Sequence, residues 1–179
     1  LSEAGIKYNA VSGASVGALN GAMMAMRDLE VAEKLWLDMR FSRVMDVDDQ
    51  TMTDIFKGKL LSLDFAQIKS SLKRVFSEKG FDVTPLRNLI AESVDYPKIN
   101  SSGVQFFIST YSLTDHEGLD LDAADLSEDE LYDMLLASAY FPAFKHEELG
   151  GKKYLDGGIS DSIPVRAAME MGYDKQLAK

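Results

Sequence analysis

Five residues near the start of the chain, Gly13-Ala14-Ser15-Val16-Gly17, constrain its fold more than any other stretch. Residues 7–11 suit a short strand, residues 12–15 a tight turn, and residues 16–27, rich in Ala, Met and Leu, a helix. A strand that enters a helix through such a turn holds the central serine on a strained backbone. Gly13 and Gly17 would then remove Cβ atoms that collide where the two elements approach. The helix N-terminus faces the serine in this arrangement. Its free N–H groups and positive dipole end can stabilise a developing oxyanion, and the Val16 N–H, next after Ser15, is the natural donor.

The pattern G-x-S-x-G alone carries little weight, since ordinary residue usage produces it in roughly one chain in twenty of this length. An ordinary glycine-rich turn would read the same. A phosphate-binding loop does not fit, because residues 13–20 lack the Gly-Lys-Ser/Thr ending and hold no basic residue before Arg27. A dinucleotide fingerprint fails on its glycine spacing.

The rest of the chain alternates helices and strands. Residues 30–39 continue helical, with Val31, Leu35 and Trp36 on one face, and residues 46–59, less regular, suit a loop or short helical turns. Asp64 opens a capping box, and Phe65, Ile68, Leu72, Val75 and Phe76 keep helical spacing up to Gly80. Thr84-Pro85 starts another helix, with Leu86, Leu89, Ile90 and Val94 as its buried stripe before Pro97. These two helices read as a cap inserted between sheet elements. Residues 104–111 form the clearest strand, returning through a turn at residues 115–118 and residues 119–121. Ser127 and Glu130 form a capping box for a helix with Leu131, Met134, Leu135 and Ser138 along one face, ending before Pro142. Residues 152–155 read as a strand and residues 164–171 as a final helix. The mixture indicates an α/β sandwich in one domain over residues 1–179, since 46% hydrophobic composition in 179 residues supplies one core. Leu1 to Gly5 resembles a helix tail, and the chain stops soon after Gly172, so the domain is expected to be incomplete at both ends.

A second motif, Asp156-Gly157-Gly158, follows the 152–155 strand. Alone it is a turn sequence. Beside a candidate serine nucleophile it gains another reading, because a hydroxyl is a poor nucleophile at neutral pH and needs an adjacent base. A carboxylate in a dry site can fill that role. Gly157 and Gly158 would let the Asp156 backbone approach the serine turn.

Three blocks together resemble the patatin-like phospholipases of the bacterial type. They are residues 13–21 (GASVGALNG), residues 137–144 (ASAYFPAF), and Tyr154-Leu155-Asp156-Gly157-Gly158 followed by Ile163-Pro164. The resemblance implies a three-layer α/β/α sandwich with a central sheet and a nucleophile elbow. It also implies a lipid acyl hydrolase of phospholipase A type with a Ser-Asp dyad. Ser15 would form an acyl-enzyme, and Asp156 would take its proton and later activate water. Substrates would be ester-linked fatty acyl groups, with no cofactor. The family's glycine-rich oxyanion loop precedes the nucleophile, so the resemblance implies truncation upstream of Leu1. It also leaves an inactive lipid-binding or regulatory protein as an alternative.

A Ser-His-Asp esterase is the other rival. Only His116 and His146 could serve it; one falls in the hairpin turn and the other in the polar run of residues 145–148, so both read as solvated. Neither has a second histidine at ligand spacing, and the acidic stretch around Asp120 and Asp122 lacks the glycine and closing glutamate of a calcium loop, so no metal is expected. Met23, Met24 and Met26 suit a core better than a lipid pocket. A net charge of −10 disfavours nucleic acid and anionic headgroups, so membrane contact has to be local, transient and apolar. The absence of cysteine suits a reducing cytoplasm. Nothing in the sequence fixes an oligomeric state.

Overall fold

The computed structural model of the chain describes residue 5 and residues 7–44, 80–141, 144–161 and 163–173. The expected loop at 46–59 and the helix opening at Asp64 lie outside the described residues. Strand β1 (Ala10–Ala14) leads through Ser15 into helix α1 (Val16–Ala25), and α2 (Leu29–Leu37) follows. Then come α3 (Thr84–Ser93), α4 (Tyr96–Ser101), β2 (Gln105–Ser112), β3 (Glu117–Asp122), α5 (Glu128–Ser138), β4 (Tyr154–Asp156) and α6 (Arg166–Glu170).

The sheet is organised around β2, whose β-branched and aromatic residues favour extended backbone. β3 pairs antiparallel along one edge of β2, from Phe107 opposite Asp122 to Ser112 opposite Glu117. The opposite edge is shared. β1 runs parallel along its first part and ends with Ala14 opposite Ser109. β4 runs antiparallel along its last part and ends with Asp156 opposite Thr110. The two strands therefore meet tip to tip at the Ser109-Thr110 peptide.

Helices cover both faces, giving the three-layer α/β/α architecture. On one face α1 lies so close to β2 that a Cβ on Gly21 would stand 2.6 Å from the Phe106 ring. Ala18, Leu19, Ala22, Met23 and Ala25 bury the rest of that helix. α5 packs beside it with Leu131, Leu135, Leu136 and Ala137 fully buried. Each buried leucine contributes about 2 kcal/mol relative to exposure, so this layer supplies much of the folding free energy. On the other face Arg166 of α6 bonds Asp120, at 3.2 Å, and the Tyr173 hydroxyl donates to Gln105.

Local chemistry sets the helix ends. Asp28 caps α2 by accepting from Val31 N–H, and Ser127 with Glu130 closes the expected capping box on α5. Some boundaries differ from the sequence reading. β1 extends through Ser12, Gly13 and Ala14, which the sequence alone suggests for the turn; parallel pairing with β2 holds them extended. Pro97 does not simply end a helix. Val94 breaks α3 with an extended conformation, and Asp95 starts α4 with Pro97 in its first turn, where a missing N–H costs nothing. α3 is no separate cap either, since Leu86, Leu89 and Ile90 join the main core.

Candidate active site

The sharp passage from β1 into α1 puts Ser15 at φ 58°, ψ −130°, a conformation L residues rarely adopt and one that costs on the order of 1–3 kcal/mol. Gly13 makes the turn sterically feasible. A Cβ there would lie 2.2 Å from the Gly17 carbonyl oxygen and 2.6 Å from Ala18 N. Gly17 differs from expectation, because a Cβ on it would point into open space. It meets no steric demand, and the close approach is carried by Gly13 alone. Val16 is the first residue of α1, and its N–H belongs to the turn that has no intrahelical partner.

The Ser15 hydroxyl donates to Asp156 Oδ2 across 2.5 Å, joining residues 141 apart in sequence. Asp156 is 9% exposed. Its other oxygen, Oδ1, accepts from Gly158 N–H at 2.8 Å, and its own N–H donates to the Tyr140 carbonyl at 2.8 Å. Both carboxylate oxygens are thus engaged from different sides, which fixes the plane of the group. A Cβ on Gly158 would stand 3.0 Å from Oδ1, a tight contact to which the carboxylate would have to yield by a few tenths of an ångström. Gly157 is the required glycine, but not for approach to the serine turn. Its Cβ would meet the Ser109 carbonyl oxygen of β2 at 2.1 Å, so this glycine seats the Asp156 turn on the central strand.

Sequence reasoning placed Ser138 only on the buried face of its helix. Fully buried, it accepts from Ser15 N–H at 2.9 Å and donates to the Ser109 carbonyl at 2.6 Å. The available signal was a serine in line with Leu131, Met134 and Leu135: a hydroxyl on an apolar face must find partners.

Neither histidine hydrogen-bonds Ser15 or Asp156. His116 sits exposed in the β2–β3 turn at φ 60°. His146 is half-buried rather than solvated; its Nδ1 lies 2.9 Å from the Tyr154 carbonyl, and its ring packs against Tyr140. The acidic residues around β3 are also engaged. Asp120 accepts from Ser109 and Arg166, and Asp122 from Gln105 and Ala124 N–H. Among the described residues no cluster of metal-ligating side chains occurs.

An apolar groove of about 540 Å³ runs from the first turn of α1, lined by Val16, Leu19, Trp36, Met39, Val44 and Leu89 together with Arg40. Trp36 is oriented by a 2.7 Å bond from its indole N–H to Asn20 Oδ1. Met23 and Met26 face the core, and the methionine lining the groove is Met39. Among the described residues no helix is long and apolar enough to cross a membrane.

Comparison with individual curated proteins returns no match. The family model described as patatin-like phospholipase matches residues 1–169, which cover the β1–α1 turn, Ser138 and Asp156 alike. The chain belongs to the patatin-like phospholipase family, and so to a family of lipid acyl hydrolases.

Proposed function

We propose that this chain is a serine esterase of phospholipase A type that cleaves fatty acyl esters of lipids through a Ser15–Asp156 dyad. The observation that carries the reading is the 2.5 Å hydrogen bond from a strained Ser15 to a nearly buried Asp156. As Ser15 Oγ attacks the ester carbonyl, its proton passes to Asp156 Oδ2, and negative charge on the carbonyl oxygen develops beside the Val16 N–H. Collapse of the tetrahedral intermediate expels the alcohol, which takes the proton from Asp156, and leaves an acyl-enzyme. Asp156 then accepts a proton from water as it attacks the acyl carbonyl, and returns one to Ser15 as fatty acid departs. The cycle calls on no cofactor and no histidine.

The groove beginning at Val16 suits the acyl chain, since its walls are almost wholly apolar. Val16, Phe141 and Ile159, each more than half exposed, flank the dyad within three residues of Ser15, Tyr140 or Asp156. They offer a local apolar contact with a lipid surface, which a chain of net charge −10 would not reach by long-range attraction to anionic headgroups.

The test is labelling with a serine-directed phosphonate and turnover of an activated short-chain ester. Labelling is expected to vanish in Ser15→Ala, and Asp156→Asn is expected to lower turnover by about 10²–10⁴-fold. His116→Ala and His146→Ala should leave turnover nearly unchanged. Lipid binding without any labelling of Ser15 would overturn the esterase in favour of a lipid-binding protein.

A further inference from the structure

We infer that Ser138 is a positioning residue whose hydroxyl fixes the Ser15 backbone relative to Asp156. The inference rests on the proposed roles of those two residues. Three measurements carry it. The hydroxyl accepts from Ser15 N–H at 2.9 Å, donates to the Ser109 carbonyl at 2.6 Å, and belongs to a residue with no exposed surface. Its donor and acceptor functions are both committed, so it cannot rotate away without leaving a polar group unpaired in the interior.

The two partners stand for the two halves of the site. Ser15 N–H belongs to the strained residue itself, whose positive φ is held against a preference for other backbone conformations. The Ser109 carbonyl is the atom against which Gly157 packs, directly after Asp156. One hydroxyl therefore ties the serine turn to the surface that seats the aspartate turn. Two residues further on, the Tyr140 carbonyl takes the Asp156 N–H at 2.8 Å. The last residue of α5 and the segment just after it thus grip both members of the dyad, Ser15 through a side chain and Asp156 through backbone.

Removing the hydroxyl frees Ser15 to relax toward ordinary backbone angles, carrying Oγ away from Asp156 Oδ2. The walls of the groove, Leu19, Trp36, Met39 and Leu89, are untouched. Ser138→Ala is therefore expected to lower kcat for the short-chain ester by roughly 10–100-fold, the effect of a misplacement on the order of 1 Å, with little change in KM. The Ser15 amide should exchange its hydrogen at least about tenfold faster, as expected when an interior N–H loses its acceptor.

Ile99→Val, at a buried position of α4, is the control for general loss of stability. It should lower the melting temperature while leaving kcat and Ser15 exchange alone. The inference is overturned if Ser138→Ala keeps kcat within about threefold of wild type, or loses no more than Ile99→Val at matched stability. If wild type is never labelled at Ser15, the esterase reading fails on its own account. Exchange at the Ser15 amide then decides the positioning role, and unchanged exchange in Ser138→Ala refutes it. Should Ser138→Ala not fold, Ser138→Cys fills the space with a weaker acceptor, and wild-type kcat and exchange in that variant overturn the inference equally.

Discussion

The two glycine turns that bring Ser15 and Asp156 together solve similar problems by opposite means. At Gly13 the chain folds back on itself, and the atom that forbids a side chain is the carbonyl of Gly17, four residues on. At Gly157 the forbidding atom is the carbonyl of Ser109, on another strand and 48 positions away. A turn closed by its own neighbours leaves its signature in local sequence. A turn closed by a distant strand leaves only a glycine, which any loop can contain.

The sharpest way to break this contrast is Gly157→Ala. Its methyl would collide with rigid β-sheet backbone, so a loss of roughly 3 kcal/mol in global stability is expected, read by denaturant unfolding. Gly13→Ala collides with the first turn of α1, which can tilt, and should cost about 2 kcal/mol while displacing Ser15 and abolishing phosphonate labelling. If the two costs come out reversed, the distinction between a local and a sheet-backed turn is wrong. Gly17→Ala sharpens it from the other side. With open space for the methyl and a helical position, stability should stay level or rise by up to about 1 kcal/mol, as a thermal melt would show.

The smallest expected effect is acid sensitivity, and it should spare neither turn preferentially. Asp28 lies below the ordinary carboxylate range through its bond from Lys98, Asp82 through Thr84, Asp115 through Lys152 and Glu130 through Ser127. Carboxylates depressed by folding add stability above their unfolded pKa values and lose it as pH falls through the folded ones. Melting temperature should therefore decline as pH drops below about 4. A melting temperature that rises on acidification would contradict that sign. Asp82, Asp115 and Glu130 are exposed and Asp28 is only half-buried, so the decline should be shallow.

How much of this was legible beforehand follows the same division. Capping boxes, the β1–α1 turn and the run of β2 rest on neighbours within a few residues, and the sequence displayed them. The α/β class followed from their alternation. Gly17 was misread because a motif treats both of its glycines alike, whereas only the backbone path shows which one is crowded. The pairing of Ser15 with Asp156 rests mostly on resemblance, since no local rule links residues separated by most of the chain. Ser138 is visible as a serine on an apolar helix face, but its partners are Ser15, just past the end of β1, and Ser109 of β2, and the sequence does not disclose where the strands of this sheet meet.

That meeting point, where β1 and β4 abut on one edge of β2, makes the site a gauge of sheet register. Strand residues advance about 3.3 Å each, so a two-residue slip of β4 would carry the Asp156 carboxylate roughly 7 Å from Ser15, and a one-residue slip would turn it to the opposite face. β4 spans only three residues, each paired with β2. Bonds beyond that ladder, from Asp156 N–H to the Tyr140 carbonyl, from Leu113 N–H to the Lys153 carbonyl and from the Thr110 hydroxyl to the Leu155 carbonyl, add to the hold on its register. Reactivity at Ser15 would then report, in one number, whether β4 had been seated on the correct rung of β2.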